Sequence, residues 1–237
     1  MAELSEICPP SGLPAGVAAG LPEWRVSPGL SDYADSIARM EAHVAAMIEG
    51  AAPEHIWLVE HPPVITAGTS AADDGELKQP GRFPLVATGR GGRLTYHGPG
   101  QRVVYPMLDL NRRGRDVRAY VAGLENWAIA ALAAFGVEAF AHEAGTGIWV
   151  RQGDGLAKIG AIGVRVRRWV SFHGLSINVS TDLSHFSAIV PCGIAAHGVT
   201  RLADLVPDIS MAELDYALFR TLPAMLDGLG AVQATAI

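Results

Sequence analysis

Lys158-Ile159-Gly160-Ala161-Ile162-Gly163-Val164-Arg165-Val166-Arg167, then Arg168-Trp169, then Val170-Ser171-Phe172-His173-Gly174-Leu175-Ser176-Ile177-Asn178-Val179, is the stretch that decides the fold. Ile162, Val164 and Val166 alternate with Gly163, Arg165 and Arg167, and His173, Leu175, Ile177 and Val179 alternate with Gly174, Ser176 and Asn178. A period of two is the mark of strands whose successive side chains point to opposite faces. The segment therefore predicts two long antiparallel strands that turn near Arg167–Trp169.

Outward from this hairpin, helices and strands are interspersed without regular βαβ alternation. Tyr33, Ile37, Met40, Val44 and Met47 recur at helical spacing, with Ser31 or Asp32 as N-cap and Gly50 beyond the end. Ile56–Val59 reads as a buried strand, broken at His61-Pro62-Pro63 before Val64–Thr66, with a Gly/Asp-rich loop over roughly 68–82. Arg102–Leu110 predicts another strand. Asp116 caps a second helix whose apolar stripe is Val117, Val121, Leu124, Ala128, Leu132 and Phe135, with Gly136 at its end. Ile148–Val150 is a short strand, and Ser210-x-x-Glu213 is a capping box ahead of a last helix that Pro223 should kink or break. The fold class expected is α+β, with mixed sheets and flanking helices in one domain over residues 23–237. Residues 1–22, rich in Pro, Gly and Ala, are expected to form a mobile tail.

Composition narrows the function. Hydrophobic residues are 49% of the 237 and charged residues 18%, enough apolar material for a sizeable core. No apolar run reaches the ~18 residues of a spanning helix, and Met1-Ala2-Glu3 opens no secretory signal. Cys8 and Cys192 are the two cysteines, which make no disulfide framework. The expectation is a cytoplasmic protein with reduced thiols and no membrane partner. A net charge of −6 argues against a nucleic-acid binder, but the charge is uneven. Residues 90–168 carry twelve basic against six acidic side chains, a net of +6, leaving −12 elsewhere. That segment is either a docking surface for an acidic partner or a set of scattered solvated arginines.

Three places carry side chains fit for chemistry. Gly89–Gln101 holds six glycines or prolines among thirteen residues, together with Arg90, Arg93, Thr95, Tyr96 and His97. Glycine lets backbone approach a ligand closely, although a surface hairpin loop has the same composition. The GxxxxGK[ST] spacing of a P-loop is missing. Cys192 lies in Pro191-Cys192-Gly193, a turn context, whereas most lone cysteines are buried small hydrophobes. A nucleophilic thiol needs a neighbouring cation or helix N-terminus to lower its pKa, and Lys158, His97 and His173 are the candidates. A zinc site from His97, His173 and Cys192 has no CxxC or HExxH pairing behind it, so no metal is expected. A Ser-His-Asp triad has no GxSxG elbow.

Five stretches in one order then resemble the lipoyl(octanoyl) transferase family. They are Glu60–Gly68 (EHPPVITAG), Arg90–Gln101 (RGGRLTYHGPGQ), Lys158–Val166 (KIGAIGVRV), Phe172–Val179 (FHGLSINV) and Pro191-Cys192-Gly193. The resemblance runs from about Tyr33 to Asp204. It departs at Phe172, where tyrosine is expected, at Ser176, where alanine is, and at Ala161, often serine.

The resemblance implies the fold of biotin and lipoate protein ligases (class II aminoacyl-tRNA synthetase/biotin synthetase-like), with a larger mixed sheet and a smaller one beside it. It implies Cys192 as the nucleophile that takes an octanoyl group as a thioester, with Lys158 beside it favouring the thiolate. The acyl-binding stretches it implies are Arg90, Gly91, Gly92, Arg93, Leu94, Thr95, Tyr96 and His97, then Ala161, Ile162 and Gly163, then Gly174, Leu175 and Ser176. His173 is an accessory candidate. No cofactor is implied, because a carrier-protein thioester is already activated. The implied partners are acyl carrier protein as octanoyl donor, and the apo-lipoyl domains of 2-oxoacid dehydrogenases and the glycine cleavage H protein as acceptors. Two alternatives stay open: an ATP-dependent lipoate or biotin ligase of the same fold, and a non-catalytic carrier- or lipoyl-domain-binding protein.

Overall fold

The computed structural model describes residues 21–71, 75–143, 145–190 and 198–231. Eleven strands and three α-helices follow one another along them: β1 (Glu23–Leu30), α1 (Tyr33–Ile48), β2 (His55–Glu60), β3 (Val64–Ala67), β4 (Leu85–Ala87), β5 (Leu94–His97), β6 (Gln101–Met107), α2 (Val117–Ala133), β7 (Ala139–Phe140), β8 (Ile148–Gln152), β9 (Gly155–Arg167), β10 (Val170–Asn178), β11 (Gly198–Val199) and α3 (Met211–Ala231). The larger sheet runs β1-β2-β6-β10-β9-β8-β7, with β11 also paired to β9, and the smaller runs β4-β3-β5. Both are mixed: β1–β2, β9–β11 and β3–β4 are parallel and the other pairs antiparallel. No helix among the described residues is long and apolar enough to cross a membrane.

The expected hairpin is β9–β10. Its pairs run from Val170↔Arg167 to Ile177↔Gly160, and the chain reverses at Arg168 and Trp169, both at positive φ (47° and 65°). Two consecutive positive φ values form the mirror-image turn that matches strand twist. It is made here without the Asn or Gly such turns favour.

Period-two alternation sorts the large sheet's side chains into two cores. Ile56, Leu58, Val104, Leu175 and Ile177 face α2 and α3 together with Leu124, Trp127, Leu218 and Leu222. Trp57, Val59, Val103, Tyr105, Met107 and Phe172 face α1 with Met40 and Val44. Covered on both faces, β6 and β10 are buried along their whole length and β2 along all of it but Glu60.

Three expectations change in detail. The strand from Arg102 ends at Met107, and Leu110–Arg112 is a short 3-10 turn capped by the Asp109 side chain. Helix α2 buries Tyr120, Leu124, Trp127, Ala128, Ala131 and Leu132, while Val117 at its first turn is exposed. Its buried face is rotated because two aromatics outweigh Val117 and Val121 in the area they can bury. Helix α3 continues through Pro223. Its capping box forms as expected, Ser210 N–H donating to Glu213 Oε2 at 2.8 Å and Glu213 N–H to Ser210 Oγ at 3.2 Å.

Beneath α3, Arg102 of β6 donates two hydrogen bonds to Asp215, at 2.7 and 2.8 Å. Glu54 forms a second ion pair with Arg113. The basic segment therefore divides. Arg90, Arg102 and Lys158 are buried and bonded internally, whereas Arg112, Arg115, Arg118, Arg165, Arg167 and Arg168 are exposed. The last three stand seven or more residues from Lys158, about 20 Å along a strand that rises ~3.3 Å per residue.

Candidate active site

The site is built on the β9–β10 hairpin. Cross-strand register places Ser176 opposite Ala161 and Gly174 opposite Gly163, so four small residues lie on one face of two adjacent strands. Their neighbours Leu175 and Ile177 point into the opposite core. The result is a groove in the sheet surface whose floor lacks bulky side chains. A Cβ at Gly163 would stand 2.9 Å from Gly91 O and 3.1 Å from Arg90 Cδ, so glycine there admits the loop that roofs the groove.

That loop is 90–97. Gly91 N–H donates to Val164 O at 2.9 Å, which ties it to β9, and Thr69 N–H to Arg90 O at 2.9 Å, which ties it to the end of β3. The buried Arg90 guanidinium donates to Thr66 O, Thr66 Oγ1, Arg93 O and Gly91 O at 2.7–3.1 Å. Its positive charge is held by carbonyl and hydroxyl dipoles and locks the loop's shape. Arg93 pairs with the buried carboxylate of Glu76.

Between floor and roof runs a narrow cavity of about 50 Å³. Of the expected acyl-binding residues, Arg90, Gly92, Arg93, Leu94, Thr95, His97, Ala161, Ile162, Gly163, Gly174, Leu175 and Ser176 line it, and so does His173. Gly91 and Tyr96 do not. Gly91 serves the β9 tie, and the Tyr96 hydroxyl bonds His185 Nδ1 at 2.7 Å in the core under the small sheet. Burial and then Asp182 push Tyr96 up to about 12. Tyr33, Val103 and Tyr105 complete the wall. Sequence reading took Tyr33 only as a core position, because its place opposite the Gly89–Gln101 loop is a tertiary fact.

A smaller cavity of about 20 Å³ adjoins the first and shares Thr95, Ala161 and Ser176 with it. Lys158 lines it, with Gln101, Asn178, Phe186 and Val199. Lys158 is buried; its Nζ donates to Thr146 O at 2.8 Å and lies 5.1 Å over the Trp149 ring. Gly147, at φ 140°, makes this possible. A Cβ there would fall 2.3 Å from Lys158 Cε and 2.7 Å from Gly160 O. Gly147 N–H is held by Glu125 Oε1 at 2.9 Å, and the Trp149 indole by Gly145 O at 2.9 Å. Sequence reading missed this cradle, although the two glycines around Thr146, just before an aromatic strand, were a visible sign of close backbone approach.

A chain of amides joins the two cavities. Asn178 Nδ2 donates to Thr200 O at 2.9 Å, Gln101 Nε2 to Asn178 Oδ1 at 2.9 Å and to Tyr96 O at 3.2 Å, and Gln101 Oε1 faces His97 Nδ1 at 2.7 Å. The backbone carbonyls at both ends set the amide orientations, so His97 carries its proton on Nδ1 and leaves Nε2 as an acceptor. Likewise His61 Nδ1 donates to Ser31 O at 2.7 Å and its Nε2 accepts from the Tyr105 hydroxyl at 2.7 Å.

Burial, then His61, lowers His97 to about 3. Burial, then Arg90 and Arg165, lowers His173 to about 3. Both are neutral at neutral pH, so neither histidine brings a charge to the thiol, and Lys158 is the candidate of the three that remains. His173 also lines only the larger cavity, beyond Gly174 and away from Lys158. Among the described residues no three His, Cys, Asp or Glu side chains form a metal-holding group.

Cys192 lies outside the described residues, as do Pro191 and Gly193. The chain that approaches it is clasped: Val190 N–H donates to Glu76 O at 2.7 Å, Leu77 bridges Ile189, and Lys78 and Gln79 N–H donate to Ala188 O. Beyond it, Val199 pairs with Lys158 in the parallel β11–β9 ladder.

Comparison with known proteins agrees with this architecture. Residues 32–222 match the lipoyl protein ligase A/B catalytic domain. An octanoyltransferase of Rhizorhabdus wittichii is 61% identical over 87% of this chain and 92% of its own, and one of Sphingopyxis alaskensis is 60% identical over 88% and 96%. Among solved structures, a bi-partite lipoate protein ligase of Thermoplasma acidophilum superposes with a TM-score of 0.63 at 20% identity, covering 87% of this chain and 85% of that one. Lipoate-protein ligase A bound with ATP gives 0.60 at 19%, covering 86% of each. The chain belongs to the lipoyl protein ligase A/B catalytic-domain family and is an acyltransferase.

Proposed function

We propose that the protein moves an octanoyl group from a carrier-protein thioester to a lysine of a lipoyl domain, through a thioester on Cys192. The observation that carries this reading is the enclosure of Lys158. Its cavity is lined by Phe186 and Val199, one on each side of the 191–197 segment that contains Cys192, and it opens on a groove floored by Ala161, Gly163, Gly174 and Ser176. A lysine at the mouth of a narrow channel, enclosed by residues that flank Cys192 in the sequence, suits acylation from a thioester.

In the first step the Cys192 thiolate attacks the donor carbonyl. A new C–S bond forms, the carrier thiolate leaves and takes up a proton, and the acyl activation is conserved. Lys158 favours the attacking thiolate electrostatically. In the second step the acceptor amine, losing a proton, attacks the acyl-enzyme; a C–N bond forms and the Cys192 thiolate is released. His97, lowered to about 3 by burial, is too weak a base to keep that proton at working pH, so the proton is assigned to Lys158, which gives its own to the departing carrier thiolate in the first step. Both steps run without ATP.

Acyl carrier protein is the proposed donor, and the lipoyl domains of 2-oxoacid dehydrogenases and the glycine cleavage H protein are the proposed acceptors. The fold likeness to a ligase bound with ATP keeps an adenylating reaction as the rival.

Intact-mass analysis after mixing with octanoyl-carrier protein, without ATP, tests the reading. One octanoyl adduct on Cys192 that discharges onto an apo-lipoyl domain, absent from Cys192→Ala, is the expected result. Octanoate transfer that needs ATP and magnesium, or full turnover by Cys192→Ala, refutes it.

A further inference from the structure

The floor of small residues ends at a residue with an unusual backbone. His173 sits within β10 at φ 57°, a left-handed conformation that side-chain-bearing residues rarely adopt in a strand. Regular alternation would turn position 173 toward α2 and α3 with Leu175 and Ile177. Instead its ring packs 5.3 Å from Phe172 and 6.3 Å from Tyr105, both members of the core facing α1. The left-handed backbone thus swings the imidazole to the groove side, where it lines the cavity. The ring is 2% exposed and neutral at neutral pH.

Its position matches a length. Thr95, Ala161 and Ser176 are shared with the Lys158 cavity, so the reacting carbonyl belongs at their level. From Ser176 to His173 is three residues of β10, ~10 Å at ~3.3 Å per residue. An extended chain advances ~1.2 Å per bond, as three backbone bonds span at most ~3.6 Å. Seven C–C bonds of an eight-carbon acyl group then cover ~8 Å, less than the ~10 Å between the two positions, and its terminal methyl reaches the ring. Ten carbons need ~11 Å, and the imidazole occupies that space.

We propose that His173 is the end stop of the acyl channel and sets the chain length the enzyme accepts. Acyl carbon one lies beside Ser176 and the terminal methyl abuts the imidazole face. The inference rests on the acyl-transfer reading above and does not depend on which group is the nucleophile. Backbone strain is tolerated here because it places a ring where the strand's own alternation would leave none.

His173→Gly is the direct test, because glycine adopts φ 57° without strain and only the ring is lost. His173→Asn is the second variant, since Asn also tolerates the left-handed region but keeps a shorter side chain. The probes are carrier-protein thioesters of six, eight, ten and twelve carbons, and the readout is kcat/KM for each. Wild type should fall steeply between eight and ten carbons. The ratio of ten-carbon to eight-carbon kcat/KM should rise at least tenfold in His173→Gly and by less in His173→Asn. An unchanged ratio in whichever variants fold, or a wild type that takes ten carbons as well as eight, overturns the proposal. A wild type that turns over none of the four thioesters refutes the transfer reading instead, so the two failures are distinguishable.

Discussion

Acidification should destabilise this protein well above the range where carboxylates titrate, and the cause is its buried histidines. His97 and His173 are both lowered from 6.5 to about 3, in each case chiefly by burial. In the unfolded chain each takes up a proton as the pH falls through 6.5, while in the folded protein neither does until about 3. Between those values the unfolded state binds more protons, so stability falls as the pH falls. At pH 5 the gap is about 1.5 pH units below the unfolded value, and at ~1.36 kcal/mol per unit each histidine costs ~2 kcal/mol. The pair costs ~4 kcal/mol, a large part of the 5–15 kcal/mol typical of a domain. His55, lowered to about 4, and His61, also lowered, act in the same direction. Asp215, raised above its ordinary value by burial, acts against them. Urea unfolding followed by circular dichroism at pH 8 and pH 5 measures the loss. His97→Gln and His173→Asn should each reduce that loss by ~2 kcal/mol. If the loss between the two pH values stays below 1 kcal/mol, or neither variant reduces it, the histidines are not buried neutral groups and the reasoning fails.

Two further outcomes test the scaffold. Gly147→Ala puts a Cβ 2.3 Å from Lys158 Cε at φ 140°; the misplaced ammonium should lower kcat ~100-fold, at a stability cost of ~1–3 kcal/mol for the strained backbone. Steady-state kinetics with thermal melts separate the two effects. Arg102→Met leaves Asp215 buried without its bidentate partner, and should cost ~3–5 kcal/mol in urea unfolding. Arg102→Met with Asp215→Leu should recover most of it, and a double variant as unstable as the single would show that the pair is not the source.

The local elements were legible in the sequence. The β9–β10 hairpin followed from alternation, α1 from the spacing of Tyr33, Met40 and Val44, and the start of α3 from Ser210 and Glu213. These patterns are local, since a strand's period and a helix cap depend on neighbours a few residues away. Ala161, Gly163, Gly174 and Ser176 entered the sequence reading as binding residues through the family resemblance, and the pairing of Ser176 with Ala161 is what places all four on one floor.

What the tertiary structure alone decided depends on groups far apart in the chain. Alternation could not tell that α2 turns Tyr120 and Trp127 inward instead of Val117, since both faces carry apolar residues. It could not tell that Thr146 and Gly147 cradle Lys158, or that Glu76 and Leu77 hold the chain ahead of Cys192. Nor could it assign charge. His97, His173 and Lys158 were equal candidates as cations while only residue types were known, and desolvation then separated them. Burial takes the proton from both histidines, while Lys158 reaches the Thr146 carbonyl and the Trp149 face. Sequence determines which side chains alternate and where a chain can turn, but the dielectric around a side chain is set by everything packed against it, and that exists only once the chain has folded.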